Sequence, residues 1–115
     1  MSSVLSRKQR LQTSTEFLNI KASDLCIREN HFWVQFKKSH RPFSRFGIIA
    51  TKRVGNAVKR NRAKRLLREL FRIHHRTLVV PCDLVIISRS SLLHAQYSDL
   101  ESSFITALNK ASTRL

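Results

Sequence analysis

Acidic residues are scarce in this chain: seven Asp and Glu stand against 22 Lys and Arg in 115 residues. They are scattered, and no two have the close spacing that general acid–base catalysis needs. Glycine occurs only at Gly47 and Gly55, which excludes a glycine-rich phosphate loop. Two cysteines, Cys26 and Cys82, stand far apart with no paired spacing. They are expected to be reduced thiols filling small core sites, and the chain is expected to be cytoplasmic. Five histidines (His31, His40, His74, His75, His94) show no HExxH or Cys–His spacing, so no metal site is expected. The pair His74-His75 is more simply a favourable interaction with a helix C-terminus. No serine sits in a nucleophile motif. No segment approaches the ~20 apolar residues of a membrane span. The start, MSSVLSRKQRL, lacks the apolar run of a signal peptide.

What the chain has is positive charge on a foldable composition. The formal net charge is +15, and 42% of the residues are hydrophobic. This predicts one folded domain over residues 1–115 rather than a basic tail, with residues 1–12 a basic, mobile lead-in. Nucleic acid is the expected partner. An anionic membrane surface is the weaker alternative, because the apolar stripe of the basic helix is needed to close a small core.

The charge is concentrated. Residues 52–72 hold nine of the 22 cations and one acid, Glu69. At 100° per residue, Ala63, Leu66, Leu67, Leu70 and Ile73, with His74 beside them, share one side of a helix. Arg60, Asn61, Lys64, Arg65, Arg68 and Arg72 share the other. Arg60, Lys64, Arg68 and Arg72 are each four apart, and like charges so placed cost a free helix roughly 0.2–0.5 kcal/mol per pair. Such a ridge makes physical sense under a polyanion. Lys52 and Arg53, just before the helix, extend the patch around its N-terminal end. Asn61 can donate and accept hydrogen bonds.

The remaining pattern gives the order α-β-β-β-α-β-α, one mixed sheet with packed helices. Thr13 or Ser14 can cap a short helix with Glu16 in its first turn. Residues 25–28 and 32–37 read as strands about a tight Glu29-Asn30 turn, and residues 46–50 as a third. The turn Val54-Gly55-Asn56 precedes a helix over residues 56–75, with Asn56 as a plausible cap. Pro81 blocks its continuation, DLVIIS from Asp83 is a buried strand, and Ser98 can cap a last helix carrying Leu100, Phe104, Ile105 and Leu108.

Alternation puts Phe32, Val34 and Phe36 on one sheet face and Trp33, Gln35 and Lys37 on the other. The first set fits a core. The second fits either a stacking surface for unpaired bases or a Trp packed under the N-terminal helix. Phe17 carries the same two readings. A slip of one residue would bring Phe36 to the Trp33 face instead.

The stretch FGIIATKRVGNAVKRNRAKRLLRELFR closely resembles the protein subunit of bacterial ribonuclease P. The specific part is residues 52–68, in which Arg60-Asn61-Arg62 looks like the family's RNR motif. Arg10-Leu11 followed by Phe17, and DLVIISR from Asp83, resemble its N-terminal pattern and last strand. The resemblance implies an α+β fold like the second domain of ribosomal protein S5, with a left-handed βαβ crossover. General topology rules would favour the right-handed one. It also implies a division of labour: a catalytic RNA and its Mg²⁺ ions cleave precursor tRNA, and the protein holds both RNAs. Carried over by position, the contacts to the catalytic RNA fall on Lys52, Arg53, Asn56, Lys59, Arg60, Asn61, Arg62, Lys64, Arg65 and Arg68. The single-stranded 5′ leader of the precursor is expected in a cleft at Phe17, Trp33 and Gln35. Two positions depart from the pattern: Lys21 and Gln35 stand where the family often has aromatics. The free protein is expected to be a monomer that binds no membrane. Competing functions are a small ribosomal-type structural RNA binder and a helix-turn-helix DNA regulator. The latter needs a helix before Val54-Gly55, where the pattern reads strand.

Overall fold

Thr13 caps the first α-helix of the described residues, and it does so reciprocally. Its hydroxyl accepts from the Glu16 N–H at 3.2 Å, and the Glu16 carboxylate accepts from the N–H groups of Thr13 (3.0 Å) and Gln12 (2.9 Å). The structure is a computed structural model that describes residues 7–23 and 25–115. Helix α1 covers Ser14–Lys21 and is followed by strands β1 (Cys26–Arg28), β2 (Phe32–Lys38) and β3 (Arg45–Ile49). Helix α2 (Ala57–His74), strand β4 (Cys82–Ser88) and helix α3 (Tyr97–Arg114) complete the chain, so the element order is the expected α-β-β-β-α-β-α. The sheet order is β1-β2-β4-β3. The β1–β2 and β2–β4 pairs are antiparallel, and β3–β4 is parallel, with α2 as its crossover. This is the mixed sheet of an α+β fold.

Each sheet face has its own cover. Phe32, Val34, Phe36, Phe46, Leu84 and Ile86 form one buried face, against Leu67, Leu70 and Phe71 of α2 and Leu100, Phe104 and Leu108 of α3. The rings of Phe46 and Phe71 stack at 4.4 Å between centroids, and Phe32 meets Phe104 at 5.7 Å. On the other face Leu11, Ile20 and Val85 are buried, with Phe17, Ile49 and Ile87 packed against them. Trp33, Gln35 and Lys37 lie on this second side and are half-buried. The alternation of β2 is thus settled: Phe36 is in the core and Trp33 faces α1's side.

Four details differ from the sequence reading. The lead-in is anchored where it is described: residues 7–9 form a 3-10 turn, Arg10 bridges Phe46, and the Leu11 N–H donates to the Phe46 carbonyl at 2.8 Å. Leu11 supplies the reason, being buried against Ile20 and Val85. Residues 1–6 of that expectation lie outside the described residues. The hairpin turns on Asn30-His31, one residue later than Glu29-Asn30, because pairing Ile27 with Val34 places both on the buried face. The buried stripe of α2 is Ala63, Leu67, Leu70 and Phe71; Leu66 is only half-buried and Ile73 is 42% exposed. The stripe is rotated toward Phe71 because Phe46 of the edge strand offers it a ring. Finally, α3 starts at Tyr97, with the Gln96 carbonyl taking the N–H groups of Asp99 and Leu100 at 3.1 Å each. Ser98 lies inside its first turn and does not cap it.

Candidate RNA interface

The basic helix is launched by backbone geometry that its turn residues make possible. Gly55 adopts φ 139°, a left-handed-side angle that residues with a side chain rarely tolerate. The Asn56 side-chain oxygen then accepts from the Lys59 N–H at 3.0 Å and caps α2. Asn56 therefore has a structural task, and its carboxamide oxygen is already engaged.

Along α2 the cations divide by depth. Lys59, Asn61, Arg62 and Arg65 are exposed, whereas Arg60, Lys64 and Arg68 are half-buried. The four-apart ridge is thus a shoulder against the neighbouring structure, and the outermost surface runs through Asn61, Arg62 and Arg65. Arg72 pairs with Glu69 and is not part of a uniformly cationic row. The Nε of Arg68 is enclosed and has no hydrogen-bond partner among the described residues. Burial, and then the charges of Arg10 and Arg65, lower its pKa from the ordinary arginine value. A groove of about 590 Å³ opens here, lined by Arg10, Arg62, Arg65, Leu66 and Arg68, with the Glu69–Arg72 pair at its end. Arg10 is a newcomer to the site. In the sequence it stood only within the N-terminal part of the family resemblance, beside Leu11, with nothing to place it against α2.

The opposite sheet face carries a second surface. Strand register places Arg28, Trp33, Ile87 and Ile49 in one row across β1, β2, β4 and β3. Phe17 sits beside this row, against Gly47: a Cβ on Gly47 would lie 2.3 Å from Phe17 Cζ, so only glycine leaves room for the ring. Phe17 lines a groove of about 370 Å³ with Leu18, Lys21 and Ile49, and Leu18 is 64% exposed. Trp33 lines an adjoining groove of about 650 Å³ with Lys52, Arg53, Ile87 and Arg89. Lys52 and Arg53 therefore border the aromatic groove and do not simply lengthen the helix ridge. Gln35 is turned inward: its Nε2 donates to the Lys21 carbonyl at 3.2 Å, and its Oε1 is enclosed without a partner among the described residues. It ties the end of α1 to the sheet instead of lining the open groove. Ile49, Ile87, Arg28 and Arg89 were missed as site residues, because only the register brings them beside Trp33.

The Trp33 ring is not bare. The guanidinium carbons of Arg28 and Arg89 lie 4.8 Å and 4.6 Å from its centroid. Contacts of this kind are worth about 0.5–1 kcal/mol at exposed sites.

Arg45 locks the two layers together. It is 8% exposed and donates through Nε and Nη2 to the two carboxylate oxygens of Asp83, at 3.1 Å and 2.8 Å. Its Nη1 pairs with Glu16. The Gln12 N–H, and then Arg45 and Thr13, hold the Glu16 carboxyl down at about 2. The two acids thus frame a structural cation, not a reaction centre. The histidines separate likewise: His74 pairs with Glu101 of α3 at 2.8 Å, while the His75 ring caps α2 by donating from Nδ1 to the Phe71 carbonyl at 3.1 Å. Both thiols are free, and burial with the nearby Asp83 charge pushes Cys82 up to about 12, leaving it inert.

A cationic helix on one face of a mixed sheet, and a basic aromatic groove on the other, define a small α+β RNA-binding protein. The family model for ribonuclease P matches residues 5–112, and the chain belongs to that family of protein components. Similar relatives include the ribonuclease P protein components of Syntrophus aciditrophicus, 33% identical over 84% of this chain and 81% of its own, and of Desulfosudis oleivorans, 33% identical over 92% and 88%. Among solved structures, the RNase P protein of Thermotoga maritima aligns with TM-score 0.79 at 27% identity, covering 88% of this chain and 96% of its own. That of Staphylococcus aureus aligns with TM-score 0.78 at 26% identity, covering 90% and 94%. The chain acts as protein subunit of the ribonucleoprotein that processes the 5′ ends of tRNAs, associating with its RNA and with tRNA precursors. A ribosomal-type structural role and a helix-turn-helix role are thereby set aside; Gly55 follows β3 and the three-residue 3-10 turn Lys52–Val54, not the α-helix that a helix-turn-helix needs.

Proposed function

We propose that the two surfaces divide the substrates between them. Exposed Lys59, Asn61, Arg62 and Arg65, with Arg60, Lys64 and Arg68 on the shoulder, contact the catalytic RNA. The groove from Phe17 over Ile49 and Ile87 to Trp33 holds the single-stranded 5′ leader, with Lys52 and Arg53 at its border. The observation that carries this reading is the placement of the two features on opposite faces of one sheet, so that one RNA does not obstruct the other. Gln35 and Asn56 serve by holding α1 and α2 in place.

The protein raises efficiency without chemistry of its own. The leader is the part of the precursor that the mature product lacks. Holding it favours substrate over product, and an apolar groove with cationic borders accepts any leader sequence. The Mg²⁺ ions of the reaction are held mainly by the RNA. Among the described residues no group of three or more His, Cys, Asp or Glu could hold a metal ion by itself. No helix among the described residues is long and apolar enough to cross a membrane. We place the chain in the cytoplasm as a monomer when free, with its strong net charge opposing self-association.

Reconstitution with the catalytic RNA at low Mg²⁺ tests the division. In the holoenzyme, Phe17→Ala is expected to weaken affinity for precursor tRNA by roughly 1–3 kcal/mol, the scale of one stacked base. Affinity for mature tRNA and assembly with the catalytic RNA should stay unchanged. Equal losses for precursor and mature tRNA would remove the leader from this groove.

A further inference from the structure

We infer that Trp33 is a positioning residue: it holds Arg28 and Arg89 so that their guanidiniums bind the phosphodiester backbone of the single-stranded leader. This rests on the reading that the Phe17 side of the groove holds the leader, and it names the chemistry at the other end.

The geometry comes from three strands. Arg28 is the register partner of Trp33 on β1. Ile87 is its partner on β4, and Arg89 follows two residues later. Both guanidiniums reach the one ring, at 4.8 Å and 4.6 Å, so an incoming base competes with two charged groups for the Trp33 ring. Arg89 projects from a fixed backbone: its N–H donates to the His31 carbonyl at 3.0 Å, and its carbonyl accepts from the Leu92 N–H at 3.1 Å.

The charge pattern points to an anion. Lys52, Arg53 and Arg89 line this groove together with Trp33, and none of its lining residues among the described ones is acidic. Arg28 adds a fourth cation at the same ring. Cations gathered this closely repel one another unless a polyanion occupies the site. Planar guanidiniums stacked on an aromatic keep their N–H edges directed outward, in the fork geometry that suits phosphate oxygens. Phosphates are common to every leader, so such a grip is indifferent to base sequence. The ring's task is to hold two flexible side chains in place before the RNA arrives.

Holoenzyme reconstituted with each variant, and precursor tRNAs with neutral methylphosphonate linkages at single leader positions, make the test. The paired variant Arg28→Gln/Arg89→Gln should lower affinity for precursor, but not for mature tRNA, by roughly tenfold, as expected for lost charge-assisted hydrogen bonds. Trp33→Leu should lose about as much, Trp33→Phe should retain most of the affinity, and adding Trp33→Leu to the paired variant should cost nothing further. One methylphosphonate position should weaken wild-type binding and have no effect on the paired variant. The inference is overturned if Trp33→Leu costs the same with and without the guanidiniums, because the ring then touches RNA itself. It is also overturned if no neutral linkage distinguishes wild type from the paired variant. Phe17→Ala, measured in parallel, separates the two readings: loss of leader preference there with no effect at Arg28 and Arg89 rejects only the phosphate grip. No loss at Phe17 rejects the leader groove itself.

Discussion

At the scale of single residues, Arg45 shows how this basic chain uses its few acids. Asp83 is 2% exposed, and the bidentate guanidinium is what makes its burial tolerable. Arg45→Met should therefore destabilise the protein by about 3–5 kcal/mol, because it leaves a buried carboxylate without its partner. Urea unfolding reads this directly, and an unchanged midpoint would refute the assignment. Glu16 adds a pH dependence. Its carboxyl is held at about 2 in the folded chain against an ordinary 4.5. A depressed acid stabilises the fold above its unfolded value, and that contribution is lost as pH falls from 4.5 toward about 2. Glu16→Gln should flatten the urea midpoint across this window. Of this network the sequence showed only Glu16, as a first-turn acid. Arg45 and Asp83 are 38 positions apart, and only parallel pairing of β3 with β4 makes them neighbours.

At the scale of elements, α2 separates folding from binding by its faces. Leu67→Ala and Leu70→Ala should each cost about 2–5 kcal/mol of stability, since both side chains are fully buried. Leu66→Ala should cost less, because that side chain is only half-buried. Arg62→Ala and Arg65→Ala should fold normally and weaken assembly with the catalytic RNA by about 1–3 kcal/mol each. Thermal melting beside RNA titration distinguishes the two groups, and a reversal would mean the faces are inverted. The helix's existence, cap and length were legible, because 3.6-residue periodicity and an Asn after a Gly are local signals. The rotation of its buried stripe was not. Phe71 is buried because Phe46 stacks on it, and nothing within the helix encodes that contact.

At the scale of the whole molecule, the chain is a holder of RNA. Purified protein freed of nucleic acid should leave precursor tRNA intact at every Mg²⁺ concentration, assayed by gel. Specific 5′ cleavage surviving thorough nuclease treatment would refute this. The two grooves and the helix ridge belong to separate sheet faces, and the linking turn with Lys52 and Arg53 reaches from one surface to the other. Cations near each other in sequence thus serve different surfaces.

By itself the sequence determined the elements and the kind of partner. Local periodicity dictates helix and strand, a +15 charge calls for a polyanion, and the motif from Lys52 to Arg68 identifies the family. Tertiary structure decided which residues meet. Anchoring of Leu11, the Phe17 ring over Gly47, the inward turn of Gln35 and the two guanidiniums on Trp33 all depend on strand order and register. These are contacts between positions far apart in the chain. No local pattern carries them, because the sheet's pairing, and not neighbouring residues, sets their distance.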